Sequence, residues 1–238
     1  MPRIRVIDFE TTGMTPETGE VVELGYADLI QEVDGTWFVD YPRDFLFGVK
    51  SIPPETRAVH HITMAEVEGR DPFHVEDWLK LPAGCTVVAA HNMAFEDQWL
   101  QTEGKVAALC TLKAALRIWP DAPGHSNGVL RYWLEDQGLL SLDHDTAMPP
   151  HRAGPDAYVT AHILKALLAA GATGKDMVAW TQEPRLLPTN PIDGQMKEKG
   201  KRWPDVSPGL LSWIANTPTL GEDLRWNARR ELERRRGA

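Results

Sequence analysis

The sequence predicts an α/β fold: a mixed sheet flanked by helices, opening with three antiparallel strands, with a small module appended at the C-terminus. Three observations carry this. β-Branched and aromatic residues dominate runs at 3–9, 21–30 and 37–47, and Asp34-Gly35 between the last two is a hairpin signal. From Ile52 onward, helical and strand-like segments alternate. Residues 151–170 then read as one long helix with an apolar face.

The first run is the central strand. It is apolar on one face and ends in two acids, Asp8 and Glu10. Side chains alternate along a strand, so these carboxylates project together while Ile7 and Phe9 point the other way. Paired carboxylates repel, and persist either in open water or around a cation. A turn-rich stretch follows at 10–19, then the hairpin. Ile52-Pro53-Pro54-Glu55 starts a short helix toward His60-His61, and Thr63 suits the cap of another turn. Residues 72–80 read as a short amphipathic helix and Cys85–Ala90 as a small apolar strand. A helix over 91–103 would turn Phe95, Trp99 and Leu100 inward. Next come a strand at 106–109 and a helix through Trp119. Ser126 or Asn127 caps a helix that runs to Gln137 and ends at Gly138; residues 143–150 are a loop. The long helix has Tyr158, Ile163, Ala166, Leu167 and Ala170 as its core face, and Gly171 stops it. Pro184, Pro188, Pro191 and Gly194 mark a linker. The division is a main domain over 1–182, a linker over 183–194 and a module over 195–238.

Composition sets outer limits. With 238 residues, 42% hydrophobic and 25% charged, the chain is an ordinary globular one. No run approaches the roughly 20 apolar residues of a membrane span, so no membrane is expected as a partner. The N-terminus enters the first strand without a secretory apolar region. Cys85 and Cys110 sit in separate apolar segments and read as buried thiols, consistent with a reducing, cytoplasmic location. The net charge of −9 is unevenly spread: residues 195–238 hold ten Lys/Arg and six Asp/Glu, a local +4, leaving −13 on residues 1–194. The acidic part suits metal and the basic tail suits phosphate, although a solvated helix would carry the same charge.

Three segments gather acids and histidines at element ends: Asp8/Glu10, His91-Asn92-Met93-Ala94-Phe95-Glu96-Asp97, and His151-Arg152-Ala153-Gly154-Pro155-Asp156. Pro155 fits the first turn of the long helix, which fixes Asp156 on it and leaves His151 in the mobile loop before it. That pairing, a mobile base beside a rigid ligand, suits activation of an attacking water. If the segments converge, four carboxylates at one spot demand cations, and all-oxygen ligands suit Mg²⁺ or Mn²⁺ rather than zinc. Two such ions roughly 4 Å apart are a known device for in-line displacement at phosphate.

These motifs resemble those of a known family. Asp8-x-Glu10-Thr11-Thr12-Gly13, His91-Asn92-x-x-Phe95-Glu96 and His151-x-Ala153-x-x-Asp156 are similar to the three motifs of the DnaQ-like DEDDh 3′–5′ exonucleases, across residues 3–170. Ile52-Pro53-Pro54-Glu55 with His60 and Ile62-Thr63 resembles another segment of that family. Cys110-Thr111, Leu116 to Pro120 and His125-Ser126-Asn127 resemble the middle of its exonuclease X type. Lys199 to Trp203 and Leu210 to Trp213 resemble the C-terminal module of that type, whose usual Phe-Gly-Lys start is replaced here by Gly194-Gln195-Met196-Lys197. The resemblance implies an RNase H-like fold, two divalent ions and release of 5′-mononucleotides from a 3′ end. It implies that Asp8 bridges both ions, Glu10 and Asp156 complete the first site, the second-motif acid serves the other ion, and His151 is the general base. The family has Asp after the Phe of its second motif, whereas this chain has Glu96 and then Asp97. One residue turns a helical side chain by about 100°, so only one of them can face the metal: Glu96 by alignment, with Asp97 as the alternative.

Thr11, Thr12 and Asn92 are candidate substrate contacts, and Phe95 is expected to pack in the core rather than stack on a base. Lys197, Lys199, Lys201 and Arg202 with Trp203 and Trp213 form either a basic aromatic surface for nucleic acid or the buried core of a tiny domain. The expected activity is a DNA 3′–5′ exonuclease of repair or end-processing type, on single- or double-stranded ends. The alternatives are an RNA-directed exonuclease on the same scaffold and a non-catalytic nucleic-acid-binding or polymerase-associated module.

Overall fold

Six strands form one open mixed sheet in the computed structural model, which describes residues 1–193 and 197–237. They are β1 (Arg3–Thr11), β2 (Val21–Gln31), β3 (Trp37–Val39), β4 (Arg43–Leu46), β5 (Cys85–Ala90) and β6 (Ala107–Cys110). Their order is β3-β2-β1-β5-β6, with β4 also paired to β2. β1 is central, antiparallel to β2 and parallel to β5, and β5 is parallel to β6. The mixed sheet and the antiparallel opening are those the sequence predicts. The third predicted strand, however, is split into β3 and β4. Pro42 stands between them, lacking the N–H that a ladder uses, and both pieces pair antiparallel with β2. Asp34-Gly35 makes the hairpin turn, with Gly35 at φ +88°.

The helices are α1 (Pro54–His60), α2 (Met64–Val67), α3 (Val75–Trp78), α4 (Met93–Leu100), α5 (Thr111–Ile118), α6 (Asn127–Asp136), α7 (Ala153–Ala169) and α8 (Gly174–Gln182). Thr63 and Glu66 form a reciprocal capping box on α2. Three predicted helices are shorter than their patterns suggest. The 72–80 helix is the single turn α3. The 91–103 helix stops at Leu100, because Gln101 turns left-handed at φ +53° and the Asp97 carboxylate accepts from Thr102. The 151–170 helix starts at Ala153, leaving His151 and Arg152 in the loop, and Ala170 at its far end is exposed rather than in the core.

The alternation of β1 sorts the layers. Ile4 and Val6 share a core with Leu130 and Leu134 of α6 and Ile163, Leu164 and Leu167 of α7. Ile7 and Phe9 share another with Met93, Trp99 and Leu100 of α4 and with Phe47. Asp8 and Glu10 continue the Ile4–Val6 face, so they lie toward the first turn of α7. Gly25 makes that approach possible: a Cβ there would fall 2.0 Å from the backbone of Ala153.

The sequence gives no clear sign of α8, which covers the edge strand β6. The Thr181 hydroxyl accepts the Cys110 N–H at 2.8 Å, and Lys113 Nζ donates to the carbonyls of Thr181 and Glu183. Beyond it, a 3-10 turn at Trp203–Asp205, α9 (Pro208–Asn216) and α10 (Glu222–Gly237) enclose a small core of Trp203, Val206, Leu211, Ile214 and Ala228. Leu187 and Ile192, from the linker segment, pack against this core. Trp203 is buried and donates its Nε1–H to the Leu187 carbonyl, whereas Trp213 is 52% exposed. Lys201 pairs with Glu198, and Arg202 reaches back to Asp121 on the main domain. Arg117 lies within 6.0 Å of both the Trp180 and Trp226 rings. Gly194, Gln195 and Met196, where the linker meets the module, lie outside the described residues. Cys85 and Cys110 are buried free thiols. No described helix is long and apolar enough to cross a membrane.

Candidate active site

Three element ends meet where β1 stops. Glu10, His151 and Asp156 each offer a ligand atom within 4.8 Å of the others. Asp8 sits among the acids. Burial holds its carboxyl well above the ordinary range, and the charges of Asp156, Glu96, Glu10 and Glu23 push it further. Burial, then Asp156 and Glu23, raise Glu10 to about 8. Burial raises Glu96 to about 8. Asp156 is also raised by burial, against the downward pull of a 2.9 Å hydrogen bond from the His151 backbone N–H. The structure thus places Glu10, His151 and Asp156 within ligand distance of one another, with Asp8 near enough to feel the charges of Asp156, Glu96 and Glu10.

Glu96 and Asp97 part company on α4. Glu96 is buried, and its Oε2 has no hydrogen-bond partner among the described residues. Asp97 turns to the other end of the helix, where its carboxylate accepts the Thr102 N–H at 2.8 Å and the Thr102 hydroxyl at 2.6 Å. Phe95 is half-buried. His151 is exposed and left-handed at φ +60°, a conformation that costs energy in a non-glycine residue and here turns the loop into α7.

Glu23 completes the site and is not among the residues the sequence singles out. It is fully buried on β2, directly across from Glu10. Arg152 donates to it from Nε and Nη2, at 3.0 and 2.6 Å, and the Ala153 N–H adds a third bond at 2.9 Å. A signal is present in the sequence: an acid inside the apolar run Val21-Val22-Glu23-Leu24, facing a segment that begins with a histidine and an arginine. His60 lies close enough to feel both charges, and burial lowers its pKa. Its Nδ1 accepts the Ile62 N–H and its Nε2 is buried without a partner among the described residues.

The candidate substrate contacts differ in freedom. The Thr11 hydroxyl donates to the Gly13 carbonyl, while the Thr12 N–H and hydroxyl bond to Glu20. Both threonines therefore brace the turn after β1. Asn92 is exposed at the start of α4, its side chain unpaired among the described residues. The donor set fits hard divalent cations: buried carboxylate oxygens, one of them orphaned, with a single histidine at the edge and no thiolate.

A family model described as exonuclease, of RNase T type, matches residues 6–164. Among solved structures, exonuclease X in complex with 5′ overhanging duplex DNA is similar at 30% identity and TM-score 0.58, over 75% of this chain and 99% of that one. The zinc-bound complex of E. coli exonuclease I with single-stranded DNA shares the fold at 13% identity and TM-score 0.53, over 76% of this chain and 42% of that one. E. coli exonuclease I with a dA16 oligonucleotide gives the same identity and TM-score, over 76% and 43%. A search of curated protein sequences gives no match. Fold, motif placement and a family match spanning most of the chain agree: this chain belongs to the exonuclease family, as a DnaQ-like 3′–5′ exonuclease with an RNase H-like fold that hydrolyses nucleic acid.

Proposed function

We propose that the chain removes nucleotides from the 3′ end of DNA, single- or double-stranded, releasing 5′-mononucleotides with two Mg²⁺ or Mn²⁺ ions. The observation that carries this reading is the burial of Asp8, Glu10, Glu96 and Asp156 near one another: burial pushes all four carboxyls upward, and the neighbouring acids push Asp8 and Glu10 further. Such a set is at ease only when protonated or when holding cations. Asp8, Glu10 and Asp156 would hold one ion, and Asp8 with Glu96 the other. When bound, the ions supply positive charge to the attacking water and to the leaving oxygen.

The chain's own residues do the rest. The His151 imidazole accepts the proton of the attacking water as its oxygen bonds to phosphorus. The P–O3′ bond breaks, and solvent protonates the leaving 3′ oxygen. Asp156 holds the His151 backbone N–H, so the root of the loop is fixed while the exposed ring keeps its reach. Asn92 offers its free amide to the substrate, and Thr11 and Thr12 shape the wall beside the terminal nucleotide. The DNA preference rests on the likeness to exonuclease X solved with duplex DNA.

The test is to follow 5′-labelled DNA and RNA oligonucleotides with Mg²⁺ or Mn²⁺. Stepwise shortening of DNA is expected, abolished by Asp8→Ala and by chelation. Faster shortening of RNA would replace DNA with RNA as the substrate. No cleavage that depends on Asp8 would leave a non-catalytic nucleic-acid-binding module.

A further inference from the structure

A cleft of about 470 Å³ lies between the main domain and the segment that leads to the C-terminal module. His91, Asn92, Leu116 and Ser126 line one side, and Arg185 and Leu187 the other. Its size is that of a ligand site, and none of its lining residues is acidic. We propose that this cleft holds the single-stranded DNA immediately upstream of the scissile phosphate, with Arg185 against a backbone phosphate. The inference rests on the exonuclease reading and extends it to residues outside the three motifs.

Position comes first. Asn92 directly precedes α4, and Glu96 lies about one turn further on. Asn127, next to Ser126, donates to the Asp156 carbonyl at 3.1 Å and accepts from the Thr160 hydroxyl at 3.3 Å. Asn92 and Ser126 thus each stand at the head of a helix that carries or touches a residue of the acid cluster. A strand whose 3′ end lies among the acids has this cleft beside it.

The lining suits a nucleotide chain. Leu116 and Leu187 offer apolar surface to a base. The side chains of Asn92 and Ser126 have no partners among the described residues and are free to bond. Arg185 is partly exposed, with Asp223 in ion-pair range of its Nε at 3.4 Å, which leaves the two terminal nitrogens of its fork for a phosphate. Hydrogen bonds brace the near wall of the cleft. His91 donates from Nε2 to the His125 carbonyl at 2.7 Å and pairs through Nδ1 with the Thr111 hydroxyl at 3.0 Å; burial lowers its pKa to about 4.

The C-terminal module holds the far wall in place. The Arg185 N–H donates to Asp223, Asn227 donates to the Arg185 carbonyl, and the Leu187 N–H donates to Asn227. Asp223 and Asn227 are both on α10, so the module would serve the nuclease by holding one wall of the strand's path.

The test uses the full chain, with Ca²⁺ replacing the catalytic ions, and fluorescence anisotropy of a labelled single-stranded DNA decamer. Arg185→Ala and Ser126→Asp should each weaken decamer binding about tenfold and move dTMP affinity, measured by competition, less than about twofold. For Arg185→Ala, the slope of log affinity against log salt should fall by about 0.7, the value for one lost contact to a single strand. Asp is a good helix cap, so Ser126→Asp adds a charge without unfolding α6, and thermal melting checks both variants. Decamer affinity at the wild-type level in both variants, or equal loss for dTMP and decamer, overturns the inference. Tighter binding of an RNA decamer overturns its assignment to DNA. A wild-type protein whose decamer binding depends on Arg185 and Ser126 but which cleaves nothing would sustain the cleft and sink the exonuclease reading instead.

Discussion

Arg152 grips Glu23 across 129 residues of sequence, one side chain on the loop before α7 and the other fully buried on β2. With the Ala153 N–H on the same carboxylate, this contact fixes the start of the helix that carries Asp156. Glu23→Ala leaves a guanidinium and a buried N–H without their acceptor. Breaking a buried pair in this way costs about 3 kcal/mol, the low end of the range because Arg152 keeps some solvent access. Urea unfolding of the two proteins measures it. A loss under about 0.5 kcal/mol would mean that Arg152 finds a new acceptor among the remaining acids.

The carboxylates predict a pH dependence with a definite sign. Glu10 and Glu96 have ordinary values of 4.5 and are raised to about 8 in the folded protein. Between those limits the metal-free folded state binds more protons than the unfolded one, so its stability falls as pH rises from about 4.5 to 8 and flattens above. Added Mg²⁺ must displace those protons, so it should raise the melting temperature more at pH 8.5 than at pH 6. Equal stabilisation at both values would sink the assignment of these groups as ligands.

Asp8→Asn removes the charge at the centre of the repulsion. It should abolish turnover and, at pH 8 without metal, raise the melting temperature, by about 2–4 °C for each kcal/mol relieved. A lower melting temperature without metal would show that the carboxylate stabilises the fold rather than straining it.

Glu96→Gln and Asp97→Asn separate the two neighbours on α4. The first should weaken cation binding at least about tenfold, read by calorimetry, and depress turnover with it. The second should leave turnover near wild type and cost about 1 kcal/mol through weaker bonds to Thr102. The reverse pattern would transfer the ligand role to Asp97.

His151→Ala should lower turnover about 10²–10⁴-fold while leaving Mn²⁺ affinity nearly unchanged. Loss of Mn²⁺ binding would make His151 a ligand instead of a base.

The strand alternation at Ile7-Asp8-Phe9-Glu10 and the Gly-Pro turn before Asp156 are short-range facts, so both were legible in the sequence. So were the central position of β1 and the hairpin at Asp34-Gly35. What escaped depends on distant partners. Glu23 looks like one more polar residue in a strand until Arg152 is brought to it by the packing of α7 against Gly25. Helix periodicity cannot show that Asp97 leaves the site, because that outcome turns on Thr102 after the helix has ended. The C-terminal aromatics divide for a similar reason: Trp203 is buried because Leu187, from the linker, accepts its N–H, while Trp213 finds no such cover.

The cover that α8 gives to β6 also limits how the polypeptide can be cut. The family match ends at residue 164, inside α7. A fragment stopping there, or at Gly171, would keep all four acids but strip the Thr181 hydroxyl from the Cys110 N–H and leave Lys113 without its two carbonyls. Its outermost strand would become an adhesive rim, ready to pair with the same strand of another copy. A fragment that keeps this cover therefore has to extend through Glu183, whose carbonyl receives Lys113 and whose carboxylate receives Arg117.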